Sequence, residues 1–179
     1  MKKILVGCPT SDYHEYALEE YAKAVKNLTY KNYDVLLADN SIRDKYIKQI
    51  EMFGLPTVRG KYYESAKKRI ITSRNLLREK VLRENYDYLL SLEQDIIPPK
   101  DIIENLLKSK KDIISAVYFM PKDSILIPLL AIDKGKEKYD YIPFEYTDKN
   151  NHIINVNYVG LGAVLISKKV LKRIKFRVD

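Results

Sequence analysis

Two rhythms of apolar positions alternate along the chain. Short apolar runs bounded by turn residues, at Lys3 to Gly7, Tyr33 to Ala38 and Tyr88 to Leu92, have the length of buried strands. Between them, apolar residues recur three and four positions apart. The first such stretch follows Gly7-Cys8-Pro9-Thr10 and carries Tyr16, Ala17, Tyr21, Ala24, Val25 and Leu28, with Ser11 or Asp12 suited to its N-cap. The second runs from Ile42 to Phe53 and stops near Gly54-Leu55-Pro56. The third spans 63–85, with Ala66, Ile70, Leu77 and Val81 on one face and Arg74 at its edge. Strand and helix alternating at this spacing predict βαβ units, hence an α/β fold with a mainly parallel mixed sheet flanked by helices.

The third apolar run organises the rest. It ends at Glu93-Gln94-Asp95, and Pro98-Pro99 cannot donate into a sheet ladder, so the strand must stop there. A helical face follows, with Ile102, Ile103, Leu106 and Leu107 between Lys100 and Ser109. Asp112 to Tyr118 predicts a further strand. Leu126 to Ile132 and Asp140 to Tyr146 read as strands flanking a turn at Asp133-Lys134-Gly135-Lys136. His152 to Tyr158 alternates weakly and leads through Gly160-Leu161-Gly162 into a strand ending at Ile166. Ser167 then caps a helix with Val170, Leu171 and Ile174 inward.

At 179 residues the chain is read as one domain, 1–179, large enough for a sizeable core. Its formal charge of +8 invites a nucleic-acid partner. Lys67-Lys68-Arg69 and Lys168-Lys169, however, lie among helical apolar positions and read as solvated faces, so nucleic acid is not expected. A positive surface suits anionic sugar nucleotides, or peripheral contact with an anionic membrane. No apolar run approaches the roughly 18 residues of a span, and the run after Met-Lys-Lys is too short for a signal peptide. A cytoplasmic setting is the expectation. A single cysteine, Cys8, excludes an internal disulfide and a cysteine-built zinc site.

Glu93 and Asp95, spaced i and i+2, fall on one side of an extended backbone. They stand at the carboxyl end of a buried strand, where open α/β sheets bind ligands. Two such carboxylates suit Mg²⁺ or Mn²⁺ shared with substrate phosphates, and their plain alternative is a solvated acidic loop. Gly160-Leu161-Gly162 is no dinucleotide fingerprint, because it lacks the third glycine and precedes a strand. His14 and His152 are candidate bases, or structural imidazoles.

The order strand, acid-x-acid, proline, helix resembles the Asp-x-Asp region of glycosyltransferases with the GT-A fold, particularly the family-2-like members of the nucleotide-diphospho-sugar transferase superfamily. Here the first acid is Glu93. Ser73-Arg74-Asn75 resembles the Ala-Arg-Asn element on the preceding helix, and Val159 to Ile174 resembles the glycine-rich strand and helix after the acceptor region. The resemblance covers roughly 3–118 and 156–174. It implies a Rossmann-like GT-A domain that binds a nucleotide-diphospho-sugar with Pro9, Thr10, Asp39, Arg74, Glu93, Gly160 and Gly162. It also implies a divalent metal, Mn²⁺ or Mg²⁺, at Asp95 with Glu93, and transfer to a sugar, lipid-linked or protein acceptor. Asp39 reads equally well as a turn or helix-cap residue. The acidic motif that supplies the base of inverting relatives is not evident between Ile174 and Asp179. A second expectation therefore stands beside the first: a non-catalytic or truncated nucleotide-sugar-binding or partner-binding domain.

Overall fold

Strand β1, Ile4–Thr10, is buried at all seven positions and lies inside the sheet, as its continuous apolar run requires. The computed structural model describes residues 1–122, 125–133, 135, 139–141 and 153–177. Parallel to β1 run β2 (Tyr33–Asp39), β3 (Thr57–Arg59) and β4 (Tyr88–Leu92). Strand β5 (Ile113–Ser115) forms one edge. After it come two hairpin strands, β6 (Phe119–Lys122) and β7 (Ile125–Pro128), and then β8 (Leu130–Asp133), β9 (Tyr139–Tyr141), β10 (Tyr158–Val159) and β11 (Ala163–Ser167). The main sheet has the order β3-β2-β1-β4-β11-β5, with β11 antiparallel to both neighbours. Small sheets β10-β8-β9 and β6-β7 stand beside it. The expected mainly parallel mixed α/β sheet is therefore the one observed. Every strand of the main sheet except β11 turns its carboxyl end to the same edge.

The pleat sends alternate residues of β1 to opposite layers. Ile4, Val6 and Cys8 pack with Leu18, Tyr21 and Val25 of α1 (Leu18–Lys26), Tyr46 and Ile50 of α2 (Lys45–Met52), and Ile102, Ile103 and Leu106 of α4 (Ile102–Lys108). Leu5 joins Leu36, Ala38 and Leu89 beneath Leu77 and Val81 of α3 (Ala66–Arg83) and Leu171 of α5 (Lys168–Leu171). A Cβ on Gly7 would stand 2.8 Å from Leu89 Cδ1 and 3.1 Å from Leu77 Cδ1, so the bare backbone lets α3 close onto β1.

Several boundaries differ from the sequence expectation, each for a local reason. Strand β1 continues through Cys8-Pro9-Thr10, because pairing with β4 ends at Gly7 while pairing with β2 continues to Thr10. Pro9 therefore sits where the ladder on the β4 side has already ended. Residues Asp12–Ala17 form a 3-10 helix before α1, which turns Tyr16 outward to 75% exposure instead of inward. Ile42 precedes α2 and is exposed, and the three-residue strand β3 after Pro56 was too short for any periodicity to announce. The predicted strand 126–132 breaks at Leu129, whose N–H bonds Tyr118 O at 3.0 Å. The predicted strand 140–146 appears as Tyr139–Tyr141, its remainder lying outside the described residues, as does His152. Helix α5 ends after one turn and leaves Ile174 exposed; Arg78 Nε donates to Leu171 O at 2.9 Å and Ile174 O at 2.6 Å. Among the described residues, no helix is long and apolar enough to cross a membrane.

Candidate functional site

The shared carboxyl edge collects Thr10, Ser11, Asp39, Asn40, Ser41 and Gln94, six of the buried polar residues. Thr10 ends β1, Asp39 ends β2, Arg59 ends β3, and Glu93 follows β4. From β5 the chain reaches Tyr118, and the start of the antiparallel β11 returns Gly162 to the same place. The Glu93 N–H donates to Gly162 O at 2.8 Å, closing that corner.

Asp39 is wholly buried, and both its carboxylate oxygens are engaged. Oδ1 accepts from Ser41 N at 3.0 Å and Ser41 Oγ at 2.6 Å, while Oδ2 accepts from Arg59 Nη1. This is the turn geometry that an Asp two residues ahead of a serine adopts. Arg59 continues to Ser41 O at 2.9 Å and to the exposed Asp44 carboxylate. Ser41 Oγ in turn accepts from Asp12 N at 2.8 Å, so the turn after β2 caps the 3-10 helix after β1. Arg59 is a site-edge residue that the sequence reading missed, because nothing marked β3 as a strand.

Gln94 is the second omission. Its neighbours carry the acids, yet its own side chain points into the core and is 1% exposed. Oε1 accepts from Tyr46 Oη at 2.8 Å and from Thr10 Oγ1, and Nε2 donates to His14 O at 2.7 Å. Burial pushes the Tyr46 phenol up to about 12, so it keeps the proton that this bond needs. The extended backbone expected for the acidic tripeptide is not observed: β4 ends at Leu92 and Glu93 O accepts from Ile96 N at 3.1 Å, so a turn, and not strand alternation, sends Gln94 inward and leaves Asp95 exposed.

Glu93 pairs with Arg74, whose side chain is 14% exposed against 35% for Glu93. Burial lowers the guanidinium pKa and the Glu93 charge opposes it. Arg74 Nε is buried without a partner among the described residues. Asn75, beside it, is structural: it holds Phe176 through Phe176 O at 2.8 Å and Phe176 N at 3.1 Å. Asp95 is exposed and makes no hydrogen bond or ion pair among the described residues. Among those residues no group of three or more His, Cys, Asp or Glu is placed to hold an ion alone. Carboxylates are the ligand type that Mg²⁺ or Mn²⁺ takes together with water and phosphate; of the two here, Asp95 is exposed and Glu93 is paired with Arg74. Cys8 is no candidate nucleophile, because burial raises its thiol pKa and the nearby carboxylates add to the effect.

A cleft of about 220 Å³ opens between the tips of β1 and β2 and the first turns of α3. Pro9, Thr10, Ser11, His14 and Asn40 line one side, and Ala66, Arg69 and Ile70 the other. Ala66 and Ile70 were expected in the core; instead α3 overhangs the sheet edge, and only Ser73, Leu77 and Val81 are buried. His14 Nδ1 is buried there without a partner among the described residues. A larger, mostly apolar groove of about 570 Å³ follows the edge strand β5, away from the acidic tip.

Pro9, Thr10, Asp39, Arg74, Glu93, Asp95, Gly160 and Gly162 thus stand at or beside one sheet edge. Pro9 and Thr10 line the cleft, Arg74 meets Glu93, and the two glycines sit against Tyr118.

No family model matches the chain, and no curated protein matches its sequence. Among solved structures, S. aureus TarS 1-349 in complex with UDP superposes with a TM-score of 0.59 at 12% identity, over 97% of this chain and 48% of that one. The structure of S. aureus TarS gives 0.56 at 14% identity, over 96% of this chain and 29% of that one. The mannosyltransferase PcManGT from Pyrobaculum calidifontis, in complex with GDP-Man and Mn²⁺, overlaps partially, with a TM-score of 0.47 at 15% identity over 59% of this chain and 31% of that one. The chain therefore has the fold of the TarS structures and spans less than half their length.

Proposed function

We propose that this chain is a GT-A-type glycosyltransferase domain that binds a nucleotide-diphospho-sugar together with Mn²⁺ or Mg²⁺. The observation that carries the reading is that a half-buried Arg74–Glu93 pair, an exposed Asp95 carboxylate and a cleft lined by Pro9, Thr10 and Asn40 all lie at the carboxyl edge of one parallel sheet. A fold shared with a UDP-bound structure supports it. Asp95, with Glu93, would hold the metal. When bound, that ion supplies Lewis-acid stabilisation of the departing diphosphate. Thr10 and Asn40 would shape the nucleoside's side of the cleft from the tips of β1 and β2, the Thr10 hydroxyl being held by Gln94 and the Asn40 amide donating to Ser73 Oγ at 3.1 Å. Asp39 acts behind them, fixing the 39–41 turn and Arg59. Arg74 presents cationic charge to the diphosphate, where guanidinium geometry suits phosphate oxygens.

The test is a calorimetric titration with UDP, GDP and their sugar derivatives, with and without Mn²⁺. Wild type is expected to bind one nucleotide series in a metal-dependent manner. Asp95→Asn should fold normally and lose that dependence, since it removes the charge a divalent ion requires while keeping the volume. Asp87→Asn, at the opposite end of β4, serves as the control and should bind like wild type. Equal metal-dependent affinity in wild type and Asp95→Asn would remove the acidic tip from the mechanism. A donor-binding module without turnover of its own is the second reading, because Glu93 is already paired with Arg74 and Cys8 is buried. Donor binding without sugar transfer or donor hydrolysis would select it.

A further inference from the structure

The glycine pair ahead of β11 makes room for a side chain of the protein itself. Neither Gly160 nor Gly162 has a positive φ, so conformational freedom is not what they provide. A Cβ on Gly160 would collide with the Tyr118 hydroxyl and stand 2.8 Å from its Cζ; a Cβ on Gly162 would lie 2.8 Å from the same Cζ and meet Ile96 as well. The phenol end of Tyr118 therefore fills the space that the two missing side chains leave.

This placement is built from several directions. The Gly162 N–H donates to Tyr118 Oη at 2.9 Å. The Tyr118 carbonyl accepts from Leu129 N at 3.0 Å, and the Gly160 N–H returns to Leu129 O at 2.9 Å. A phenol offers one donor proton and two lone pairs. Gly162 uses a lone pair, and among the described residues nothing accepts the proton. Burial raises the phenol's pKa, the Gly162 bond opposes, and the Glu93 and Asp95 charges raise it further against Arg74. The hydroxyl thus remains a neutral donor within electrostatic reach of the acidic tip and Arg74.

We propose that Tyr118 orients the transferred sugar: its O–H, held by Gly162, whose carbonyl accepts from the Glu93 N–H, donates to a hydroxyl of a hexose bound beside the acidic tip. The inference rests on the nucleotide-sugar reading above and assigns a specificity-determining contact within it. Phosphate oxygens carry charge and are served by Arg74 and the cation at Asp95. A protonated phenol instead suits a neutral hydroxyl, for which direction matters more than charge.

The experiment compares wild type with Tyr118→Phe, which keeps the ring seated on both glycines and removes only the hydroxyl. Each is titrated in Mn²⁺ with the nucleotide-sugar that wild type binds, with the matching nucleoside diphosphate, and with deoxy-sugar analogues of the donor. The expected result is a loss of roughly tenfold in affinity for the nucleotide-sugar and none for the nucleoside diphosphate. One deoxy analogue should bind both proteins equally, because its missing hydroxyl is the partner. A merely structural hydroxyl would weaken both ligands alike or lower the unfolding temperature without discriminating between them. Equal loss for the two ligands, or loss for neither, overturns the proposal. Wild type that binds no nucleotide at all overturns the glycosyltransferase reading itself, a result visible before the variant is examined.

Discussion

Arg74 illustrates how one side chain serves two opposed demands. It pairs with Glu93 while its Nε has no partner among the described residues, which leaves a donor for a ligand. Replacing it by Met should free the Glu93 carboxylate, since the guanidinium and a metal ion compete for the same oxygens. Mn²⁺ alone is then expected to bind Arg74→Met severalfold more tightly than wild type, whereas nucleotide-sugar affinity falls about tenfold or more with the loss of a charge-assisted contact. Titrating each ligand separately distinguishes this crossing pattern from a uniform loss. Gln94 makes a different residue-scale prediction. Gln94→Ala strips partners from Tyr46, from Thr10 and from the His14 carbonyl, all at a buried junction. Leaving such groups unpaired should cost about 2–4 kcal/mol, measured by urea denaturation. Gln94→Glu keeps an acceptor for the two hydroxyls but loses the donor to His14 O, so it should also destabilise.

At the scale of elements, the contact between α3 and β1 decides where the site can be. Leu77 and Val81 fasten the second half of the helix to the sheet, and the missing side chain of Gly7 sets how near it comes. Its first half is left overhanging the strand tips, where Ala66, Arg69 and Ile70 wall the cleft. Gly7→Ala should push Leu77 and Leu89 apart in a fully packed layer. Overpacking of this kind is expected to cost about 1–3 kcal/mol, read from the urea midpoint at unchanged slope. Because the shift is transmitted to the overhang, nucleotide affinity should fall as well.

Across the whole molecule, the candidate site and a set of anchoring ion pairs occupy opposite ends of the parallel strands. At the amino ends, Lys3 pairs with Asp34 at 2.9 Å and Lys2 with Asp87 at 3.0 Å. The Lys3 bond holds Asp34 below the usual carboxylate range, with burial opposing. For Asp87 burial alone would act upward, yet the Lys3 N–H and the Lys2 ammonium bring it down. A folded-state pKa below the unfolded value contributes stability above the unfolded pKa of about 3.9, and that contribution is lost as pH falls through the lower folded value. The wild-type unfolding temperature should therefore drop below about pH 4, and the Asp34→Asn/Asp87→Asn double variant should show a flatter acid limb. A limb of unchanged steepness would assign acid sensitivity to the other end of the sheet.

The rhythm of apolar residues was enough, by itself, to determine the α/β class, the four long helical stretches, the three long parallel strands and the acidic tip after β4, because burial on two faces demands continuous apolar runs and helices demand a 3.6-residue repeat. It also placed Thr10, Asp39 and Glu93 at strand ends, since a turn residue after such a run marks where pairing stops. It did not distinguish Ala66 and Ile70 from core, because an apolar helical face looks the same whether a sheet lies beneath it or has already ended. Nor could it show that Asp39 is spent on Ser41 and Arg59, that Gln94 ties the β1 tip to α2 and the 3-10 helix, or that Tyr118 fills the space over Gly160 and Gly162. Each of those depends on partners 2 to 84 positions away, joined by strand order and register, and only the tertiary structure decides which polar groups meet and which are left for a ligand.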